Sequence, residues 1–436
     1  MGEEPHTNLN SIAQFLIMPL KYVKQIYDNV HGYIGITAQE LEIIDTPLFQ
    51  RLREIKQLGP AYLVFPGATH SRLAHCIGTM FMIDQFAKNS VRYTEVSDEE
   101  IEKLRLAALL HDIGHYPFSH TLEHAIRHEL KGADHVTFGV SIIKRFLQEK
   151  IENYRVDELA SLIEGDRRNE FSILLSSAID ADKSDYMLRD SYNTGVLYGN
   201  MNMSSLMRIM SFEKDKIVFD KDASPVENFL LGRYHLYRVV IHHKVVVAIS
   251  LALQRIYYLL VEEGFLRNPT ELLKTQNEED ITSYTDDAVH YAMHEYLAKG
   301  KNSMLRELIM QYLRRESPEL SYAYVTTNPG SGRNDKRRAK IDLLENDADA
   351  RKGIAKKAGI NENWVFPVTL RSLGLVDEET KIFIRRGSSI VPIIDSDALV
   401  LRMIGSKTLY DARLYTKKGH GKELRHIFLE EVGKKV

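Results

Sequence analysis

The spacing of apolar residues divides the chain in two. Up to about residue 265 they recur mainly at helical intervals; behind it the signal weakens and strand-like runs appear. Residues 1–20 read as a loose leader whose one apolar run, Phe15-Leu16-Ile17-Met18, stops at Pro19. Tyr22, Val23, Ile26, Tyr33, Ile34 and Ile36 surround Asp28-Asn29-Val30-His31-Gly32, the pattern of a short hairpin. Thr37 can cap a helix over 38–44. Thr46-Pro47 restarts the chain, and Phe49, Leu52 and Ile55 carry a second helix to Leu58, where Gly59-Pro60 ends it. Leu73, Ile77, Met80 and Phe81 predict a helix over 71–88. Ser97-Asp98-Glu99-Glu100 is a capping box that opens a helix closing at His111-Asp112. Further helices are expected at about 119–130, 134–149, 156–164 and 170–191, with Asn193-Thr194-Gly195 as the stop. Residues 211–220 read as a small β excursion. A second capping box, Ser224-Pro225-Val226-Glu227, opens an unusually long helical pattern to Gly264. Residues 286–315 read as helix, 331–340 as a polar, basic loop, and 381–384 and 390–394 as strands. No internal repeat is visible. The pattern predicts a mainly α protein: leader 1–20, helical body 21–265, and a smaller mixed α/β lobe 266–436.

Composition narrows the class. A chain of 436 residues that is 44% hydrophobic and 27% charged has ordinary globular values, with a mean hydropathy of -0.27. Its 57 basic and 60 acidic side chains give a net charge of -3, which argues against global polyanion binding and leaves local basic patches open. The one cysteine, Cys76, has no internal disulfide partner, which fits a reducing, cytoplasmic setting. The apolar run at 245–250 is broken by Gln254 and Arg255, so no membrane span is expected.

The candidate chemistry centres on Leu109-Leu110-His111-Asp112-Ile113-Gly114-His115-Tyr116-Pro117-Phe118-Ser119-His120. Adjacent side chains diverge on a helix, so a vicinal His-Asp pair fits best at a helix end, where both can turn to one ion. Imidazole and carboxylate suit a divalent metal. A frayed, solvated helix end is the bland alternative, but Ala107-Ala108-Leu109-Leu110 places this pair beside a core. Upstream, His75 sits on an expected helix. Downstream, Asp180, Asp182, Lys183 and Asp185 fall inside a helical pattern flanked by Ile179, Met187 and Leu188. A solvated acidic face would explain them too, yet part of the segment faces a core. His75, His111, Asp112 and Asp182 form a two-His, two-Asp set that leaves positions open for water, whose pKa a divalent ion lowers. Arg72, His115, His120, Lys183 and Arg233 would suit a phosphorylated, polyanionic substrate. Sequence physics thus reaches a metal-dependent hydrolase of a phosphate ester.

These residues resemble the HD-domain phosphohydrolases, whose metal signature is the ordered set His75, His111-Asp112, Asp182. The chain is more closely similar to one branch, the deoxynucleoside triphosphate (dNTP) triphosphohydrolases, which include the mammalian SAM- and HD-domain restriction factor and bacterial relatives. The likeness runs through Ile44 to Gly59, His70-Ser71-Arg72-Leu73-Ala74-His75, Leu109 to His120 and Ile179 to Asp190, with a weaker echo at Leu409-Tyr410-Asp411-Ala412-Arg413. The resemblance implies that His75, His111, Asp112 and Asp182 hold the metal, whether manganese, iron, zinc or magnesium. It implies that His115, His120 and His135 line the α-phosphate, with His120 protonating the leaving 5′ oxygen. Gln57 and Leu58 would contact base and sugar, and Arg72, Lys183 and Arg233 would grip the triphosphate with its Mg²⁺. Tyr186 and Asp190 would lie at the sugar edge, and Tyr237 would face the same pocket. The products would be a deoxynucleoside and inorganic triphosphate.

The same resemblance implies a regulatory nucleotide (GTP, dGTP or another dNTP) bound between subunits of a homo-oligomer, a tetramer by analogy. Asp45, Gln50 and Arg53 would read its base; Lys24, Lys221 and Arg402 would hold its phosphates. A helix-capping Asp45 and two solvated side chains are the plain alternative. One departure stands out: where the family often has a sugar-packing tyrosine, this chain has Ile241. Two rivals stay open, namely another HD-type phosphohydrolase acting on a monophosphate or phosphodiester, and a nucleic-acid-binding protein that uses the basic loop.

Overall fold

The computed structural model describes residues 20–433 except 91–95, 152, 153, 155, 167, 214, 215, 221, 222, 327–335, 372–381, 397, 399, 400 and 402–408. It opens with the antiparallel hairpin of β1 (Tyr22–Asp28) and β2 (Gly32–Thr37). Thr37 and Glu40 exchange both bonds of a capping box and start α1 (Ala38–Ile44). The next helix is shorter than its apolar stripe predicts. α2 (Pro47–Gln50) tightens into a 3-10 turn, Arg51–Glu54, and stops at Ile55 rather than Leu58. Long-range partners claim the backbone there: Lys56 forms a β-bridge with Ser71, and Gln57 N donates to His70 O at 3.0 Å.

The body helices follow: α3 (Arg72–Ser90), α4 (Asp98–Leu110), α5 (His120–His128), α6 (His135–Ile142) and α7 (Val156–Ile163). The helix expected over 170–191 starts late. Glu170–Leu174 is a 3-10 turn, and α8 (Ala181–Thr194) begins only after Asp180. The Asp180 carboxylate accepts from Ser177 N and Lys183 N, each at 2.7 Å, so this residue is an N-cap and not a mid-helix acid. Gly195 closes α8 at φ +73°, a left-handed cap that suits glycine.

α9 (Met203–Ile209) leads into β3 (Met210–Glu213) and β4 (Lys216–Asp220). The long pattern from 224 to 264 is two helices. α10 (Ser224–Leu236) has Ala223 as its cap and runs into a π-helical turn, Tyr237–Ile241; α11 (Lys244–Glu262) restarts where His243 Nδ1 accepts from Val245 N. By length and composition α11 could cross a membrane, but Leu253, Ile256, Tyr257 and Leu260 are buried in the body core. α12 (Pro269–Leu272), α13 (Glu278–Thr282), α14 (Asp286–Lys299) and α15 (Ser303–Leu313) follow, with Gly300 between the last two. Leu272, Ile281, Val289, Met293, Leu305 and Ile309 share one core with α3, α4 and α11, so the body's packing extends well past residue 265.

A smaller C-terminal lobe follows. Its elements are β5 (Glu319–Thr326), α16 (Lys336–Asn346), α17 (Ala348–Lys357), β6 (Val365–Arg371), β7 (Phe383–Arg386), β8 (Ser389–Pro392), β9 (Tyr410–Thr416) and α18 (Gly421–Glu431). β9 lies between β5 and β6, antiparallel to both, and its Ala412 and Leu414 pack with Ile341, Leu344, Leu424 and Phe428. β7 joins β4 in parallel, which ties this lobe to the body in the sheet β3-β4-β7-β8. The basic loop expected over 331–340 is partly helix, because Lys336 to Lys340 open α16. Residues 331–335, leader residues 1–19, Lys221 and Arg402 lie outside the described residues. The fold is mainly α, a helical body with a smaller strand-containing C-terminal lobe.

Candidate active site

Three elements meet at the site: the first turns of α3, the end of α4 and the first turn of α8. His75, fully buried on α3, donates from Nδ1 to Asp185 Oδ2 at 2.7 Å. A glycine allows the two helices to come this close, since a Cβ on Gly78 would lie 1.9 Å from Asp185 Oδ1. α4 ends at His111, so His111 and Asp112 can turn toward one point. His111 Nδ1 donates to Ala108 O at 2.7 Å. In both imidazoles Nδ1 is the atom spent on a protein acceptor, which leaves Nε2 facing the gap between them.

The two Nε2 atoms converge on the two predicted carboxylates. His75 Nε2 lies 3.1 Å from Asp182 Oδ1 and 3.5 Å from Asp112 Oδ2. His111 Nε2 lies 3.3 Å from Asp112 Oδ1 and 3.8 Å from Asp182 Oδ1. Both Nε2 atoms are buried without a well-aimed hydrogen bond, a costly arrangement unless something fills the gap. His75, His111 and Asp182 present three ligand atoms close to one another, and Asp112, near both Nε2 atoms, brings the set to two imidazoles and two carboxylates, donors that suit a divalent cation. The residues fit the predicted metal.

Asp112 has a second duty. It forms a close ion pair with Arg72 and sits 3.2 Å from His115 Nε2. Burial would raise its pKa, but Arg72, His111 and His115 hold it well below the usual carboxylate range. Asp182 is likewise held low against burial, chiefly by His75 and His111. Cys76 groups with His111 and Asp112, yet burial and the Asp112 charge push its thiol up and keep it protonated.

Above the quartet opens a cavity of about 350 Å³. All eight predicted substrate-binding residues line it: Gln57, Leu58, Arg72, Lys183, Tyr186, Asp190, Arg233 and Tyr237. His120, His135 and Ile241 line it as well. His120 stands at the mouth, 67% exposed. His115 is buried beneath, stacked on His135 at 4.1 Å and edge-on to His120 at 4.8 Å. Burial and Arg72 push the His115 pKa well down, so its ring is neutral. Gly114 allows this loop to seat, since a Cβ there would lie 2.1 Å from His135 O.

Several site residues escaped the sequence reading. Glu123 accepts from His120 Nδ1 and His135 Nδ1, both at 2.9 Å, and orients the two rings; its spacing of three after His120 was the available signal. Burial would lower the His135 pKa, but Glu123 raises it. Asp185 and His70 escaped too, and His70 Nε2 lies 2.8 Å from Asp190 Oδ1. The residues expected to read an activator lie elsewhere. Asp45 and Arg53 are exposed, Gln50 is half-buried with its Nε2 donating to Ile44 O at 2.7 Å, and Arg53 closes on Gln50 Oε1. Lys24 is exposed on β1.

Residues 72–190 match the HD domain family. Over 70% of its length the chain is 33% identical to the protein MJ1154 of Methanocaldococcus jannaschii, and it covers 62% of that protein. Over 52% of its length it is 32% identical to the deoxynucleoside triphosphate triphosphohydrolase SAMHD1 homolog of Dictyostelium discoideum, and it covers 47% of that protein. The chain thus spans roughly half to three fifths of these two relatives. The crystal structure of a phosphohydrolase from Bacteroides thetaiotaomicron superposes with a TM-score of 0.72 at 24% identity, covering 91% of this chain and 100% of that one, which establishes the shared fold. The matched segment begins at Arg72, ends at Asp190 and contains His75, His111, Asp112 and Asp182, so the four candidate metal ligands all fall inside the part of the chain that is similar to the HD domain family.

Proposed function

We propose that this protein hydrolyses dNTPs at the α-phosphorus, releasing a deoxynucleoside and inorganic triphosphate. The observation that carries the reading is one continuous cavity. It combines three of the four candidate metal ligands (His111, Asp112 and Asp182, with His75 buried directly behind them), three cationic side chains (Arg72, Lys183, Arg233), two tyrosines and the buried Gln57. Gln57 Oε1 has no hydrogen-bond partner among the described residues, so the cavity wall holds an acceptor for a donor on a bound base or sugar. The relative from Dictyostelium is named for this activity.

His75, His111, Asp112 and Asp182 would hold the divalent ion, which when bound supplies Lewis acidity and acidified water. The chain's own groups do the rest. Lys183, kept charged against burial by Asp180 and Asp182, and Arg233, lying over the Tyr237 ring at 5.8 Å, offset the triphosphate charge. Arg72 reaches the same wall while paired to Asp112. Glu123 accepts from His120 Nδ1 and orients the ring, so that His120 in its imidazolium form would donate the Nε2 proton to the leaving 5′ oxygen and be left neutral. Activation by a guanine nucleotide at Asp45, Gln50 and Arg53, a homo-oligomer and a cytoplasmic setting belong to the same reading.

The test incubates purified protein with each dNTP and NTP, with and without Mn²⁺ or Mg²⁺, and separates products by chromatography. Nucleoside plus tripolyphosphate is expected. Release of orthophosphate or a nucleoside monophosphate would move the assignment to another HD-type phosphohydrolase.

A further inference from the structure

Phe118 and Ser119 hold φ values of +55° and +54°, the left-handed half of backbone space that residues with a Cβ rarely adopt. They stand immediately before His120 and just after His115. Such a conformation persists only where its surroundings hold it.

The restraints come from far along the chain. Asp286, fully buried at the start of α14, accepts from Phe118 N at 2.6 Å through Oδ1 and from Lys56 N at 3.1 Å through Oδ2. Ser119 Oγ donates to Lys56 O at 2.8 Å and accepts from Arg72 Nε at 2.9 Å. Arg51 is buried and spends its guanidinium on carbonyls: Tyr284 at 3.0 Å, Ile113 at 3.2 Å and His115 at 2.6 Å. One carboxylate and one guanidinium thus tie residues 113–119 to 51–56 and to 284–286. Both lie outside the HD-domain match, one before it and one after. Neither touches the cavity.

We infer that Asp286 and Arg51 are positioning residues. They hold residues 113–119 in the backbone arrangement that presents His115 and His120 to the cavity, and Asp286 sets the Lys56–Gln57–Leu58 wall opposite them. The helix α14, remote in sequence, is then part of the active-site scaffold. The kinetic consequence rests on the hydrolase reading above; the structural one does not.

The test compares the full-length, metal-loaded protein with Asp286→Ala, Asp286→Asn and Arg51→Lys. Hydrogen exchange is followed in peptides covering 113–119 and 54–58, with 183–190 as the internal control. Asp286→Ala should speed exchange in the first two by about tenfold or more and leave the control unchanged. Asp286→Asn retains one acceptor and should fall between; it carries the comparison if the alanine variant does not fold. On dNTPs, Asp286→Ala should lower kcat by about 100-fold with metal content intact, the cost of a small misplacement, and raise KM by a smaller factor through the loosened Gln57–Leu58 wall. Asn should recover much of that loss. Arg51→Lys should loosen 113–119 alone. Unchanged exchange at 113–119, or equal acceleration in the control peptide, would overturn the proposal. A wild-type protein inert to every dNTP would instead remove the dNTPase reading, and the exchange comparison would still decide this one.

Discussion

His75 Nδ1 lies 2.7 Å from Asp185 Oδ2, and this bond aims the other ring nitrogen at Asp182 and Asp112. Asp185 is itself held by His31 Nε2 at 2.7 Å and by Arg189, whose Nε and Nη2 each donate at 2.9 Å. Arg189 reaches on to Asp28 at 2.9 Å, so the β1–β2 hairpin buttresses a candidate metal ligand from behind. Outer partners of this kind set ring orientation and basicity, and their loss costs about 10- to 100-fold in metal affinity. Asp185→Asn should weaken metal binding by about that factor, as read by competition with a chromophoric chelator. Equal affinity in the variant would show that packing alone orients His75.

Removal of the ion makes a sharper comparison. Chelation should abolish turnover and Mn²⁺ should restore it. His111→Ala combined with Asp112→Ala should hold no metal, and added Mn²⁺ should not rescue it, because one neutral nitrogen and one of two carboxylates are gone from the quartet. The double variant also strands the buried Arg72 guanidinium, so circular dichroism must accompany the assay. Full activity in this variant would contradict the metal assignment.

Local signals in the sequence were accurate where a local cause governs. The Thr37 capping box, the helix ending at the His111-Asp112 pair and the hairpin around Gly32 all depend on near neighbours. The pattern failed where distant partners decide. Asp180 looked like a mid-helix acid, but Ser177 N and Lys183 N make it a cap, which starts α8 just before Asp182. The 224–264 stripe read as one helix, yet a π-helical turn at Tyr237–Ile241 and the His243 cap divide it. The cavity gathered all the predicted substrate residues, since a resemblance carried their order. Arg51 and Asp286 were not legible as site residues because their partners lie up to 233 positions away, and Asp185 was read only as part of an acidic run.

The surface bearing Asp45, Gln50 and Arg53 yields a regulatory prediction. The Arg53 guanidinium closes on Gln50 Oε1, and Gln50 Nε2 is already committed to Ile44 O, so the pair is preset against one stretch of surface. A guanine nucleotide placed there would find a carboxylate for its N1/N2 edge and donors for its acceptors. On the proposed reading of a nucleotide activator, Arg53→Ala should raise the concentration of GTP or dGTP needed for half-maximal activation by about tenfold, within the usual range of coupling energies, and leave metal content intact. Unchanged activation in the variant would leave Arg53 a solvated surface residue.

The C-terminal lobe supplies a pH prediction independent of the metal. Burial raises the Glu345 pKa to about 7 from its ordinary 4.5; the Thr369 N–H, at 3.0 Å, and Arg351 oppose the rise, while Asp342 adds to it. The folded state therefore holds this proton more tightly than the unfolded chain between those two values. Stability contributed by the group is complete below about pH 4.5, declines as pH rises, and is gone above about pH 7. The full shift corresponds to about 3 kcal/mol, and partial exposure of the residue brings the expected effect down to about 1–2 kcal/mol. Glu345→Gln removes the titration while keeping a hydrogen-bond acceptor for Thr369. Its urea midpoint should therefore match the wild type at pH 5 and exceed it at pH 8. Parallel midpoints across that range would mean that Glu345 stays ionised in the folded lobe, with Arg351 and the Thr369 N–H outweighing burial.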